Sequence, residues 1–212
     1  MAQNVNLSDI VINLSMPTLL FEQKNHAIYW LGVTDHTAFR CNAYLICSGE
    51  HHILIDPGSI AFTTQLCERV SQIMPPEDVS ALVLCHQDPD VASSLPEWLK
   101  INPDICVITS PRAHVLLPHY GCANYRYHNI EKTPVFSCGE THALHFITAP
   151  HLHSPAAFTT WDATSHFLFS GDIWAALSID WKLVCDDFPA HCTDMNMFHM
   201  DYMASNVAAR GF

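Results

Sequence analysis

The sequence predicts an α+β fold in which two β-sheets pack face to face with helices on their outer sides. Three observations carry this. Strand-like runs come first as a meander, then alternate with amphipathic helical stretches, then return as consecutive strands. Of the 212 residues, 49% are hydrophobic, which suffices for one sizeable core. The consecutive strands near both ends are too many for a doubly wound sheet, and neither GxGxxG nor GxxxxGK[ST] occurs. The chain is read as a single domain over residues 1–212, possibly short of its C-terminal end.

Each element follows from local pattern. "AIYWLGV" (27–33), "NAYLIC" (42–47) and "HILID" (52–56) read as strands, and "DPGS" after the last as a turn. "FTTQLCERVSQIM" (62–74) has helical spacing and stops at "PPEDV". "SALVLC" (80–85) reads as a buried strand, and "ASSLPEWLKI" (92–101) as a helix with Pro96 near its first turn. "ICVITS" (105–110) is a strand, followed by a short helix, "PRAHVLLPHYG" (111–121), opened by Pro111. "HALHFITAP" (142–150), "AAFTTWDA" (156–163) and "HFLFSGD" (166–172) complete the strands, and the tail "TDMNMFHMDYMASNVAAR" (193–210) is helical. His51 and His52 are expected in an exposed turn, and the Met residues at 195, 197, 200 and 203 on one packing face.

Composition excludes several classes. The formal net charge is -12, with nine Lys and Arg and no basic run, so nucleic acid is not an expected partner. The first 25 residues carry no basic start or long apolar run, and no stretch is apolar enough to span a bilayer. The nine Cys are scattered singly without CxxC pairs, which fits neither a zinc ribbon nor a disulfide framework. A cytoplasmic location is expected. No GxSxG is present.

The chemistry lies at strand ends. "SALVLC" runs into His86-Gln87-Asp88-Pro89-Asp90; "APHLHSP" carries His151 and His153; "FLFSGD" ends in Asp172; "HILIDPGS" contains Asp56. One His-x-Asp at a strand end is ordinarily a turn cap, and Asp56 before Pro57-Gly58 reads as a turn residue. Three such ends are harder to dismiss. Asp88, Asp90 and Asp172 gathered beside buried strands would be costly without a compensating cation. Two His and three carboxylates make a hard, mixed N/O ligand set, whereas structural zinc usually takes Cys and His.

These segments resemble the metallo-β-lactamase fold, an αββα sandwich of two mixed sheets. Within it they are most similar to the diiron domain of flavodiiron proteins and oxygen-binding diiron proteins. The hydrolases carry H-x-H-x-D-H where the flavodiiron branch has H-x-E-x-D-H; this chain has His86-Gln87-Asp88-Pro89-Asp90-Val91. "YWLGVTD", "NAYLI", "LFSGD", "CDDF" and "DYMASN" resemble further family segments, and "APHLHSP" aligns His153 rather than His151 with the ligand. The resemblance implies that His86, Asp88 and His153 bind one iron, that Asp90 binds the other and that Asp172 bridges both. It places Val91 where the family often has a second His, and His36 near the site as an outer group.

Two departures matter. The family's last ligand, a His in a segment like S-H-G, has no counterpart before Phe212, and His191 and His199 do not match it. No FMN site is expected in this chain either. The resemblance therefore implies two non-haem irons and a domain that senses dioxygen or nitric oxide or slowly reduces it, linked to a signalling output. The alternatives are a reductase subunit fed by an external flavoprotein, a zinc hydrolase, and a metal-free interaction module. A homodimer is expected.

Overall fold

The computed structural model describes residues 10–32, 40–139, 141–176, 183–185 and 187–202. Its first sheet has seven strands in chain order. These are β1 (Thr18–Gln23), β2 (His26–Trp30), β3 (Tyr44–Ser48), β4 (His51–Ile55), β5 (Ala81–Val83), β6 (Cys106–Thr109) and β7 (Arg126–Asn129). The first four pair antiparallel and the last three join in parallel. The second sheet is antiparallel: β8 (Val135–Ser137), β9 (Ala143–Thr148), β10 (Phe158–Asp162) and β11 (Phe167–Phe169).

Parallel neighbours need a crossover, and helices supply it. α1 (Thr63–Val70) lies between β4 and β5. α2 (Pro89–Ala92) and α3 (Leu95–Ile101) lie between β5 and β6, and α4 (Pro111–His114) follows β6. α5 (Phe188–Tyr202) ends the described chain.

Strand alternation sorts the apolar residues into two cores. Ile53, Ile55, Ala81, Val83 and Ile108 face Leu144, Phe146, Phe158 and Phe169 of the second sheet. Leu54, Leu82, Leu84 and Val107 point the other way, against Leu66, Val70, Leu95 and Trp98 of the helices. A sheet buried on both faces reads as a continuous apolar run, which is why 80–85 lacks alternation. Each fully buried side chain of this size contributes about 1.5–3 kcal/mol.

The structure adds β1, β7 and β8 to the strands expected from sequence. All three are edge strands, short or partly polar, and edges lack a clean periodic signal. The expected helix at 92–101 starts earlier, at Pro89, and breaks at Ser93–Ser94. The one at 111–121 breaks after His114 and resumes as a 3-10 turn, Leu117–Tyr120, because Pro118 has no N–H to donate. His51 and His52 are not in an exposed turn. They begin β4 and are half-buried, paired with Ser48 and Cys47 across a hairpin turned at Gly49 and Glu50. The Met residues do not share one face: Met195 is buried, Met197 and Met200 are exposed, and Met203 lies outside the described residues.

Candidate metal centre

Three chain segments converge. The end of β5 continues through buried Leu84 and Cys85 to deliver His86, which is 1% exposed. Asp88 sits at the N-cap of α2, ahead of Pro89. His153 lies in the β9–β10 connection, where His151 and His153 have φ of 67° and 77°, folding the loop tightly enough to turn His153 inward. Asp172 lies in a 3-10 turn, Gly171–Trp174, directly after β11.

The donor atoms meet. Asp88 Oδ2 lies 3.1 Å from His153 Nε2 and 3.5 Å from His86 Nε2. Asp172 Oδ2 lies 3.3 Å from His86 Nε2 and 3.6 Å from His153 Nε2. The two imidazole rings are 5.0 Å apart and nearly perpendicular. Ligands about 2.0–2.2 Å from a common ion lie about 3–3.5 Å from one another, so this spacing suits one cation. His86 Nε2 is buried and makes no well-formed hydrogen bond, a polar atom that a cation would satisfy. The donor set fits a metal on both counts. The two carboxylates are 29% and 28% exposed, leaving an open side for a small ligand.

Electrostatics agree. Burial works against charge on His86, but Asp172 and Asp88 overcome it and hold its pKa up at about 10. His153 and His86 hold Asp88 well below the usual carboxylate range. Burial would raise Asp172, yet its interactions with His86 and His153 together outweigh it and lower the group.

The neighbours brace the donors. Gln87 Nε2 donates to Asp88 Oδ1 at 2.8 Å, and its Oε1 accepts from Ser154 Oγ at 3.1 Å. Tyr120 donates to the Gln87 carbonyl at 2.6 Å. Asp56 Oδ1 accepts the Cys85 N–H at 2.9 Å, tying β4 to the residue before His86. Asp56 has φ of 49°, and burial raises its pKa to about 6. Phe198 of α5 stacks on His153 with ring centres 5.7 Å apart. His199 Nε2 donates to the Ile173 carbonyl at 2.8 Å, fastening α5 to the turn that carries Asp172.

Of the five residues expected from sequence, His86, Asp88, His153 and Asp172 come together. Asp90, on the first turn of α2, forms no bond with them among the described contacts. Burial, and then the charge of Asp172, raise its pKa. His151 is exposed, and His36 lies outside the described residues. Trp98 packs in the helix-side core with Leu84, two residues before His86. Gln87 and Phe198 were missed. Gln87 carried a signal, standing between two candidate ligands with a side chain able to reach both flanking segments; Phe198 is buried on a tail helix whose sequence gives no clear apolar stripe.

The fold and this His/Asp site define a metal-centre domain of the metallo-β-lactamase type. The family model described as ODP family beta lactamase matches residues 39–212, and the chain belongs to that family. A structure of a chemotaxis sensor ODP as a peroxy diiron species superposes with a TM-score of 0.74 and 28% identity, over 89% of this chain and 76% of that one. The apo state of chemotaxis sensor ODP from T. denticola gives 0.73 and 30%, with the same coverage. A nitric oxide reductase of Moorella thermoacetica is 29% identical over 159 residues, which are 68% of this chain and 39% of that protein. The chain spans less than half the length of the curated relatives it matches, down to 24% for a diflavin flavoprotein. The likeness matches the diiron type of domain expected from the motifs.

Proposed function

We propose that this chain is a non-haem iron domain that binds dioxygen or nitric oxide. His86, Asp88, His153 and Asp172 hold iron, and Asp90 serves a second iron. The observation that carries the reading is that each of the two imidazole nitrogens lies 3.1–3.6 Å from an oxygen of both Asp88 and Asp172, with His86 Nε2 buried and unsatisfied. Iron bound there supplies a redox-active ion with open positions for a diatomic gas.

The chain's own groups do the rest. Asp88 and Asp172 balance the charge and leave one side open to solvent. Gln87 occupies Asp88 Oδ1 and so directs Oδ2 toward both histidines. Phe198 shields His153 from water on the α5 side.

A sensing role coupled to a signalling output draws support from the neighbour named a chemotaxis sensor. The relative named a nitric oxide reductase favours a second reading, a reductase that takes electrons from a separate flavoprotein. Sustained gas consumption with an added donor separates the two. Asp88 weighs against the zinc hydrolase, since it stands where those enzymes carry His. All nine cysteines are free thiols, which suits a reducing compartment such as the cytoplasm. No helix among the described residues is long and apolar enough to cross a membrane. A homodimer remains the proposed assembly.

The test is optical. The chain is loaded with ferrous iron without oxygen, then exposed to dioxygen or nitric oxide. A new near-ultraviolet band in the loaded wild type, absent from His153→Ala, is expected. An iron-loaded sample whose spectrum does not respond to either gas would overturn the reading.

A further inference from the structure

We infer that Cys85 is a positioning residue for the metal centre: its sulfur takes the Nδ1 proton of His86 and so fixes the ring in the tautomer whose bare Nε2 can bind an ion. This rests on the metal-binding reading above and adds a group that is not itself a ligand.

An imidazole that binds an ion through one nitrogen carries its proton on the other, and a buried N–H needs an acceptor. His86 is 1% exposed. Its two nitrogens stand in different surroundings. Nε2 faces Asp88 and Asp172 and makes no well-formed hydrogen bond. Nδ1 lies 3.0 Å from Cys85 Sγ. In most metal sites the partner in that place is a carboxylate, a backbone carbonyl or water. Here it is the sulfur of the preceding residue.

The direction of the bond follows from the other partner of the thiol. The Cys85 side chain also bonds the Asp56 carboxylate, and an ionised carboxylate can only accept. The thiol proton therefore points to Asp56, and the sulfur meets His86 with its lone pairs. Asp56 Oδ1 accepts the Cys85 N–H at 2.9 Å as well, so one carboxylate holds both the backbone and the side chain of Cys85. The other tautomer of His86 would leave Nδ1 without a donor and would put a proton where the ion binds.

The sulfur is also enclosed. Cys85 is 5% exposed, and a Cβ built on Gly171 would lie 2.7 Å from Sγ. Gly171 opens the turn that carries Asp172. One atom thereby touches three segments: the end of β4 through Asp56, His86 after β5, and the turn after β11. Sulfur is a weak acceptor, but in this enclosure it is the acceptor within reach of Nδ1 among the described contacts.

The test follows the ring proton and the affinity together. The full chain is loaded with Zn²⁺, which is diamagnetic, and its histidine rings are followed by ¹⁵N NMR. Affinities for Zn²⁺ and ferrous iron are measured by chelator competition, with circular dichroism confirming that each variant folds. The wild type should show His86 protonated at Nδ1, with a proton that exchanges slowly with solvent. Cys85→Ala should bind both ions about 10–100-fold more weakly, as loss of a ligand's outer partner does, and its Nδ1 proton should exchange faster. Cys85→Ser keeps an acceptor of similar size and should recover most of the affinity and the slow exchange. Zn²⁺ held by a wild type whose His86 binds through Nδ1, or whose ring proton exchanges fast, would overturn the inference and leave the metal-binding reading standing. Wild-type affinity and slow exchange in Cys85→Ala would do the same, as would a serine variant no better than alanine. A wild type that retains neither ion would overturn the metal-binding reading itself, and the inference with it.

Discussion

Gln87 donates its amide to Asp88 Oδ1 at 2.8 Å, and this bond decides which oxygen of Asp88 faces the histidines. The same amide accepts from Ser154, one residue beyond His153. A single side chain thereby couples the segment bearing His86 and Asp88 to the loop bearing His153. Gln87→Ala should leave the fold intact and weaken metal retention by about 10–100-fold, as loss of a ligand's outer partner does. Competition against a chelator of known affinity measures the change.

Gly171 has φ of 55°, and a Cβ built there would lie 2.7 Å from Cys85 Sγ. Both the backbone and the space exclude a side chain. Gly171→Ala should therefore shift the turn bearing Asp172 and cost at least about 1 kcal/mol of stability. Adding Cys85→Ala removes the sulfur but leaves the positive φ, so thermal melts should show partial recovery in the double variant.

Phe198 is 5% exposed and stacked on His153. Phe198→Ala should cost about 3 kcal/mol in denaturant unfolding, the low end for a buried Phe, because α5 lies at the periphery. It should also speed metal release into a chelator, since water then reaches His153.

Loading a divalent ion must expel the proton that Asp88 and Asp172 hold on His86, whose pKa stands at about 10 in the metal-free chain. Affinity should therefore rise with pH up to about 10, with one proton released per ion, measurable by calorimetry in buffers of different ionisation heat. Stability of the metal-free chain runs the opposite way. A folded pKa above the unfolded one stabilises below about 6.5 and loses that contribution as pH rises through about 10.

A second buried pair lies apart from the centre. His26 Nε2 sits 2.7 Å from Asp162 Oδ2, with both side chains buried, and joins β2 of the first sheet to β10 of the second. Burial alone would raise Asp162, but His26 and the Ser165 hydroxyl outweigh it and hold the carboxyl below its usual range. The contribution is present above the unfolded carboxyl value of about 3.9 and is lost as pH falls through the lower folded value. His26→Ala should destabilise by about 3–5 kcal/mol at pH 7, as breaking a buried pair does. Asp162→Asn should flatten the acid limb of urea midpoints against pH.

Much of the centre was legible because its residues lie at the ends of strongly apolar strands. "SALVLC" and "HFLFSG" announce their own burial, so the acids and His that follow them stand out. Asp90 lies two residues after Asp88, on the first turn of the short α2 helix, and burial together with the charge of Asp172 raises its pKa. The edge strands β1, β7 and β8 were invisible. An edge strand is held by its partner's backbone more than by its own apolar face, so "RYHN" and "VFS" carry little periodicity. Asp56 read as an ordinary turn residue; its bond to the Cys85 N–H depends on the parallel pairing of β4 with β5, a relation between segments 29 residues apart.

The central claim is that His86, Asp88, His153 and Asp172 hold an iron. A crystal structure of the iron-loaded chain with anomalous data at the iron edge tests it most directly. The account predicts a strong peak within bonding distance of His86 Nε2, His153 Nε2 and oxygens of Asp88 and Asp172. A peak elsewhere, or none in protein shown to contain iron, would contradict it.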